Sequence, residues 1–404
     1  MKKLILLDGN QRSALSITRS LGKKGITIIA GDEKVPSLSS CSKYCFQSFS
    51  YPSPYKKPDA FIQSIRTIIN NYKDSLLIPV TDVTLSEILR NRALFKDLAT
   101  IPFVEYTQYA SVSDKVNLFH LAHRLNIPIP KTLFPSELND IGTIMEESKK
   151  VGFPLVIKPF SSRIRTKNEW TNAKISYVNS AHELENLLKG DPFKGNPFLI
   201  QERIVGPGIG IFLLLHEDKV IAHFAHKRIR ERPPSGGVSV VCESIPPPPD
   251  ALQAARRLLE ELKWSGVAMV EFKWDRRDNL PKLIEINARF WGSLQLAVSA
   301  GVDFPYLLYC VATGREIKAQ TNYKTGIKSR WELGDLDHLL ARMLKKQSSL
   351  HLPPDAASRW EVMKSFIFDS LRPSIRNEVL RLDDPRPFLS EVRHYLKSLF
   401  HSAE

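Results

Sequence analysis

Glu271, Glu285, Asn287 and Arg289 are the residues whose types and spacing best suit chemistry. Residues 266–292 read as two β-strands joined by a polar turn. Alternate residues of a strand point to one face. Glu285, Asn287 and Arg289 therefore present a carboxylate, an amide and a guanidinium together, flanked by the apolar Leu283, Ile284, Ile286 and Phe290. The first strand adds a second carboxylate, Glu271, between Val270 and Phe272. Acidic groups are costly to bury without partners. Oxygen ligands converging from neighbouring strands suit Mg²⁺ carrying a nucleotide phosphate. A salt bridge between Glu285 and Arg289 is the plainer alternative.

Further candidates lie upstream. Lys158 ends the short apolar strand 153–159, where a purely solvated lysine is unexpected; for Lys115 that bland reading stays open. His226, Lys227 and Arg228 follow an apolar run and precede the flexible Gly236-Gly237 turn, which puts cations where backbone can approach a ligand. Arg230 and Arg232 read equally well as solvated charges. Trp291 reads either as a cleft wall or as core. His120 and His123, three apart, read as an exposed helical face in the absence of further ligands.

The elements that must position these groups alternate at first between strand and helix. Strands are expected over 3–7, 26–30, 75–81 and 101–104, with helical patterns over 14–21, 61–70 and 85–94, which implies a parallel sheet. Asp8-Gly9-Asn10 follows the first strand, so the G-x-G-x-x-G dinucleotide fingerprint is absent. A helix over 115–125 is capped by Ser111 or Ser113 and stopped by the prolines at 128 and 130. From 153 the character becomes α+β. Strands are expected over 153–159, 175–178 and 198–204, then a hairpin with its turn at 216–219 and a helix over 251–262. Residues 319–404 bring prolines and short helical patterns. The apolar side of 388–400 suits packing on the body or a second subunit better than a membrane surface.

Bulk properties exclude more than they select. The 404 residues allow two or three domains. At 43% hydrophobic and 25% charged the composition is that of a globular protein. The net charge of +14 favours anionic ligands, but the cations are spread along the chain and no nucleic-acid recognition motif accompanies them. Cys41, Cys45, Cys242 and Cys310 give neither a zinc pattern nor a disulfide framework, which fits reduced thiols in the cytoplasm. The first residues read as a strand rather than a signal peptide, and no run approaches the roughly 18 apolar residues of a transmembrane segment.

The ordered set Ser113-Asp-Lys115, Phe-Pro-Leu-Val-Ile-Lys158-Pro, Leu-Ile-Gln-Glu202-Arg-Ile-Val-Gly206, Val-Glu271-Phe and Ile-Glu285-Ile-Asn287-Ala-Arg289 resembles the ATP-grasp superfamily over residues 1–318. It is most similar to the carboxylate–amine ligases and the synthetase domains of carbamoyl phosphate synthase. The resemblance implies a mixed α/β and α+β fold: a Rossmann-like pre-ATP-grasp domain (1–110), two ATP-grasp lobes (111–195 and 196–318) and a C-terminal helical extension (319–404). It implies ATP and Mg²⁺, with Mn²⁺ as an alternative. Lys115 and Lys158 would face the phosphates. Gln201, Glu202, Arg203 and Ile204 would form the hinge that reads adenine, with Glu202 accepting from a donor there. Glu271, Glu285 and Asn287 would ligate the metal. Arg289 would hold a phosphate or acyl phosphate, with Lys227 and Arg228 at the acceptor site. The implied reaction activates a carboxylate as an acyl phosphate and joins it to an amine, releasing ADP and phosphate. Phosphotransfer to a hydroxyl and nucleotide binding without turnover are the alternatives. The partners expected are small carboxylates and amines, and a homodimer is left open. One departure stands out. Where the family often has a glycine-rich flap after Lys158, residues 160–170 contain no glycine, so Ser161, Ser162, Arg163, Arg165 and Lys167 would have to contact phosphate by side chain.

Overall fold

Short, largely apolar runs open the chain, and in the computed structural model they form strands buried on both faces, as parallel strands usually are. The structure describes residues 2–137, 140–161, 163–165, 170–172, 174–190 and 195–401. Leu4–Leu6 is the central strand of a five-stranded parallel sheet, between Ile28–Asp32 and Ser75–Ile78. Gln47–Ser50 and Ala99–Thr100 complete the edges. The expected strand at 101–104 is thus displaced. Pairing uses Ala99–Thr100, and Pro102, which has no N–H to donate, follows it in irregular chain. The helix expected from 115 runs over Lys115–Arg124, but its cap is Asp114. The Asp114 carboxylate accepts from the backbone N–H of Val116 at 2.8 Å and Asn117 at 3.2 Å, while Ser113 ends the preceding helix.

An antiparallel four-stranded sheet follows, ordered Ser176–Val178, Leu155–Pro159, Phe198–Glu202, Thr132–Leu133. The helices Ile141–Val151 and Ala181–Lys189 cover it with a small core of their own, built on Ile144, Leu155, Ile157, Leu184 and Ile200. Arg163–Arg165 and Trp170–Asn172 pair as a separate two-stranded hairpin. Ser162 and Lys167 lie outside the described residues.

The largest sheet has seven strands. Leu280–Asn287 lies at one edge, then Gly266–Asp275, Gly208–His216, Lys219–Arg232 and Val238–Ser244. The expected hairpin is present. Its turn places Glu217 and Asp218 at φ +49° and +59°, the left-handed geometry of the tight turns that match strand twist. Two strands of the C-terminal region, Lys328–Arg330 and Arg376–Asn377, extend this sheet, so residues 319–404 are not helices alone. One core runs from the parallel sheet through this one and includes Leu4, Ile78, Phe212, Phe272, Trp291 and Phe304.

The helices Glu332–Leu344, Arg359–Leu371 and Arg386–His401 complete the C-terminal region. The last packs on the body as expected: Trp331 donates to Glu391 at 2.9 Å, Tyr395 donates to Asp337, and Phe388 joins a buried cluster with Leu15, Leu38 and Val379. Among the described residues no single helix is long and apolar enough to cross a membrane.

Candidate active site

Pairing of Gly266–Asp275 with Leu280–Asn287 sets Glu271 directly opposite Glu285. The register shifts at Glu271/Phe272. Bulges of this kind re-aim side chains, and here the consecutive Ile284 and Glu285 both line one cavity, where strict alternation would send them to opposite faces. Cations from other elements meet the two carboxylates. Arg228 pairs with Glu271 and, at 2.8 Å, with Glu231. Lys115 Nζ lies 3.4 Å from Glu285 Oε2, and Asn287 donates to Glu285 Oε1 at 3.2 Å.

These surroundings split the two carboxyl groups. Burial drives Glu271 upward against the pull of Arg228, and the neighbouring Glu285 adds to the rise. Burial acts on Glu285 as well, but Lys115, the Asn287 hydrogen bond and Lys158 together hold it below the usual carboxylate range. Lys158 ends the buried strand Leu155–Pro159, and burial followed by the charge of Lys115 pushes its ammonium down to about 8. His226 is buried and driven well below the ordinary imidazole range by burial and Arg228, so it is neutral. Its Nδ1 is 3.3 Å from Ser293 Oγ.

The cavity these groups share is about 380 Å³. Lys115, Lys158, Glu271, Glu285, Asn287 and Arg289 line it, as do Val156, Ile284 and residues 201–204. Gln201 is buried and donates to Thr132 Oγ1 at 2.8 Å. Glu202 has both oxygens engaged within the protein, one by the Lys131 N–H at 2.8 Å and one by Arg277 at 2.7 Å. Trp291 serves both roles considered for it: its ring packs 4.2 Å from that of Phe212 in the core, and it also lines the cavity.

Two expected residues are placed differently. Lys227 is on the face of Lys219–Arg232 opposite His226 and Arg228, and it is not among the cavity-lining residues. Residues 226–228 do not follow a strand. They lie inside one, so they alternate. Register shifts around Arg230 then turn that residue to Asp335 and Asp369, while Glu231 returns to the cavity. Arg289 does line the cavity, but Asp82 grips it: Nε to Oδ1 at 2.9 Å and Nη2 to Oδ2 at 2.8 Å, with further bonds to Asn287 Oδ1 and the Phe290 carbonyl.

A second cavity of about 810 Å³ meets the first at Lys115, Ile175, Glu285, Asn287 and Arg289. Ser161, Arg163, Arg165 and Trp170 of the glycine-free segment line this chamber and not the first. The buried Glu87 holds the hairpin, accepting from Arg165 Nε at 2.8 Å and Trp170 Nε1 at 2.9 Å. Asp82, Glu87 and Glu231 were not legible as site residues. Asp82 and Glu87 lie in an ordinary-looking helix, Asp82–Arg90, and only its docking gives them partners.

Comparison with known proteins agrees with this geometry. The family described as "ATP-grasp in the biosynthetic pathway with Ter operon" matches residues 194–334. D-aspartate ligase of Enterococcus faecium (strain Aus0004) is 22% identical over 248 residues, covering 58% of this chain. The match spans 59% of that relative, less than two thirds of its length. Among solved structures, the biotin carboxylase domain dimer of Hydrogenobacter thermophilus 2-oxoglutarate carboxylase, in complex with MgADP, ADP and bicarbonate, superposes with a TM-score of 0.63 at 15% identity, over 81% of this chain and 73% of that one. L-amino acid ligase from Bacillus licheniformis gives 0.57 at 14% identity, over 77% and 74%. The four-stranded and seven-stranded sheets that supply one acidic, lysine-rich cleft and these likenesses together show that this chain carries the ATP-grasp fold.

Proposed function

We propose that this protein is an ATP-dependent ligase that activates a carboxylate as an acyl phosphate and joins it to an amine. The observation that carries the reading is the convergence of Lys115, Lys158, Glu271, Glu285, Asn287 and Arg289 on one cavity that also has apolar walls at Val156, Ile204 and Ile284. The D-aspartate ligase relative and the L-amino acid ligase neighbour support ligation chemistry.

The chain's own residues suit Mg²⁺. Glu271 and Glu285 are opposed, and their charges are met by Arg228 and Lys115, positions a cation between them would relieve. Two carboxylates and an amide leave the remaining oxygen positions to phosphate and water, the usual Mg²⁺ arrangement. When bound, Mg²⁺ would neutralise phosphate charge during transfer. Lys115 and Lys158 place further positive charge at the same end. Val156, Ile204 and Ile284 offer apolar faces to a base, and the backbone of 201–204 offers its edge contacts. Arg228, beside Glu271, is positioned to steer an anionic group towards the metal end. The neutral His226 cannot compete for it as a cation. No protein nucleophile is needed, because alignment and charge neutralisation supply the catalysis. The second chamber opens on the same end and gives a substrate access to the reacting phosphate without crossing the base pocket.

The test is incubation with ATP, Mg²⁺ and pooled carboxylates, with and without amines, following phosphate. Release of free phosphate that depends on amine is expected. Phosphate retained on a hydroxyl-bearing product would overturn ligation in favour of phosphotransfer.

A further inference from the structure

The C-terminal segment 351–355 reaches back over the base end of the cleft and touches it from three sides. The His351 ring stacks on Tyr177 of the smaller sheet, with centroids 5.7 Å apart and planes 20° apart. Arg203, in the stretch between the lobes, lies 4.6 Å over the same Tyr177 ring and donates to the His351 carbonyl. Asp355 pairs at 3.2 Å with Arg276, in the turn that follows Gly266–Asp275 of the large sheet. Pro353, between them, lines the cavity itself, together with Tyr177, Arg203 and Ile204. Tyr177 itself also donates to the Ser235 carbonyl at 3.2 Å.

The backbone gives an independent sign. His351 sits at φ +44° and ψ +45°. That left-handed conformation ends the short helix Gln347–Leu350, and for a residue with a side chain it persists where surroundings over-determine it. Here the ring stack and the Arg203 bond are those surroundings.

We propose that residues 351–355 form a strap that closes the base end of the nucleotide cleft and retains the nucleotide by tying the smaller sheet, the 201–204 stretch and the large sheet together. The inference rests on the reading of this cleft as a nucleotide site. His351, Pro353 and Asp355 are positioning residues: they hold the pocket shut around the base and take no part in transfer at the far end. A nucleotide leaves only when the lobes part, and parting them breaks the Tyr177–His351 or the Arg276–Asp355 contact.

The test is stopped-flow release of a fluorescent N-methylanthraniloyl ADP from the full chain, with melting temperature as control. His351→Gly suits the left-handed backbone and removes only the ring. Asp355→Ala removes the other tie. Each is expected to speed release about five-fold, equivalent to about 1 kcal/mol, with the melting temperature unchanged and the maximal turnover rate not reduced. Release within two-fold of the parent in both variants would sink the strap while leaving the nucleotide site intact. A parent protein that binds no adenine nucleotide would overturn both the strap and the site.

Discussion

Two carboxylates face each other across a strand pair, and their unequal surroundings give them different work. Glu285 is held ionised by Lys115, Lys158 and Asn287, so it is the stronger standing ligand for a cation. Glu285→Gln keeps shape and removes charge. It is expected to abolish ATP turnover with the melting temperature nearly unchanged, measured by phosphate release and calorimetry, and near-normal turnover would refute the metal assignment. Lys158, at about 8, is partly neutral in mildly alkaline solution. An ammonium is favoured beside phosphate, so nucleotide binding draws a proton in, and affinity falls as pH rises through 8 and the empty site loses its charge. Titration calorimetry with ADP and EDTA at pH 8, in two buffers of different ionisation enthalpy, should give unequal heats; equal heats would count against it. Of these residues, Glu271, Glu285, Asn287 and Lys158 were legible because a charged or strongly polar group inside an apolar strand is costly and so conspicuous. Asp82 was not. It stands at the start of Asp82–Arg90, where an acid is ordinary helix chemistry, yet with the neighbouring acceptors it occupies four of the five N–H groups of Arg289. Asp82→Asn is therefore expected to weaken this grip and change the apparent KM of the phosphorylated substrate more than that of ATP, by steady-state kinetics.

At the level of elements, sheets and hairpins followed from periodicity, whereas bulges did not. The runs around Leu4, Ile29 and Leu77, and the turn at Glu217-Asp218, are local signals, and they formed as expected. The register shifts beside Glu271 and Arg228 depend on partner strands far away in sequence. They put Ile284 beside Glu285 in the cleft and returned Glu231 to it, which no period-two pattern reports, whereas Lys227 is left out by alternation alone. The junction after the 201–204 stretch is tighter still. Gly206 has φ +149°, and a Cβ there would lie 1.9 Å from the Trp274 carbonyl oxygen. Gly206→Ala forces that crossing apart, with an expected loss of about 1–3 kcal/mol from overpacking and strain. Because the crossing sits between the lobes, nucleotide affinity should fall as well. Denaturant unfolding and nucleotide titration check both, and unchanged stability would show that the crossing yields freely.

Across the whole molecule, buried ion pairs tie the C-terminal region to the rest. Arg19 bonds the Asp384 carboxylate at 2.8 Å and the carbonyls of Glu378, Val379 and Asp384. Arg230 joins Asp335 and Asp369. Removing one partner of such a pair leaves an uncompensated buried charge, worth about 3–5 kcal/mol. Asp384→Ala should therefore unfold at markedly lower denaturant, with little dependence on salt because the pair is shielded from solvent. A loss below about 1 kcal/mol would mean that water relieves Arg19. The same first helix, Arg12–Gly22, also sends Arg12 to Glu378. Its two arginines thus wait for acceptors more than three hundred residues away. These two cations meet their carboxylate partners only once residues 378–384 are in place. Folding intermediates in which the C-terminal region has not docked therefore carry a positively charged seam on that helix, one that a chaperone or an acidic surface must tolerate.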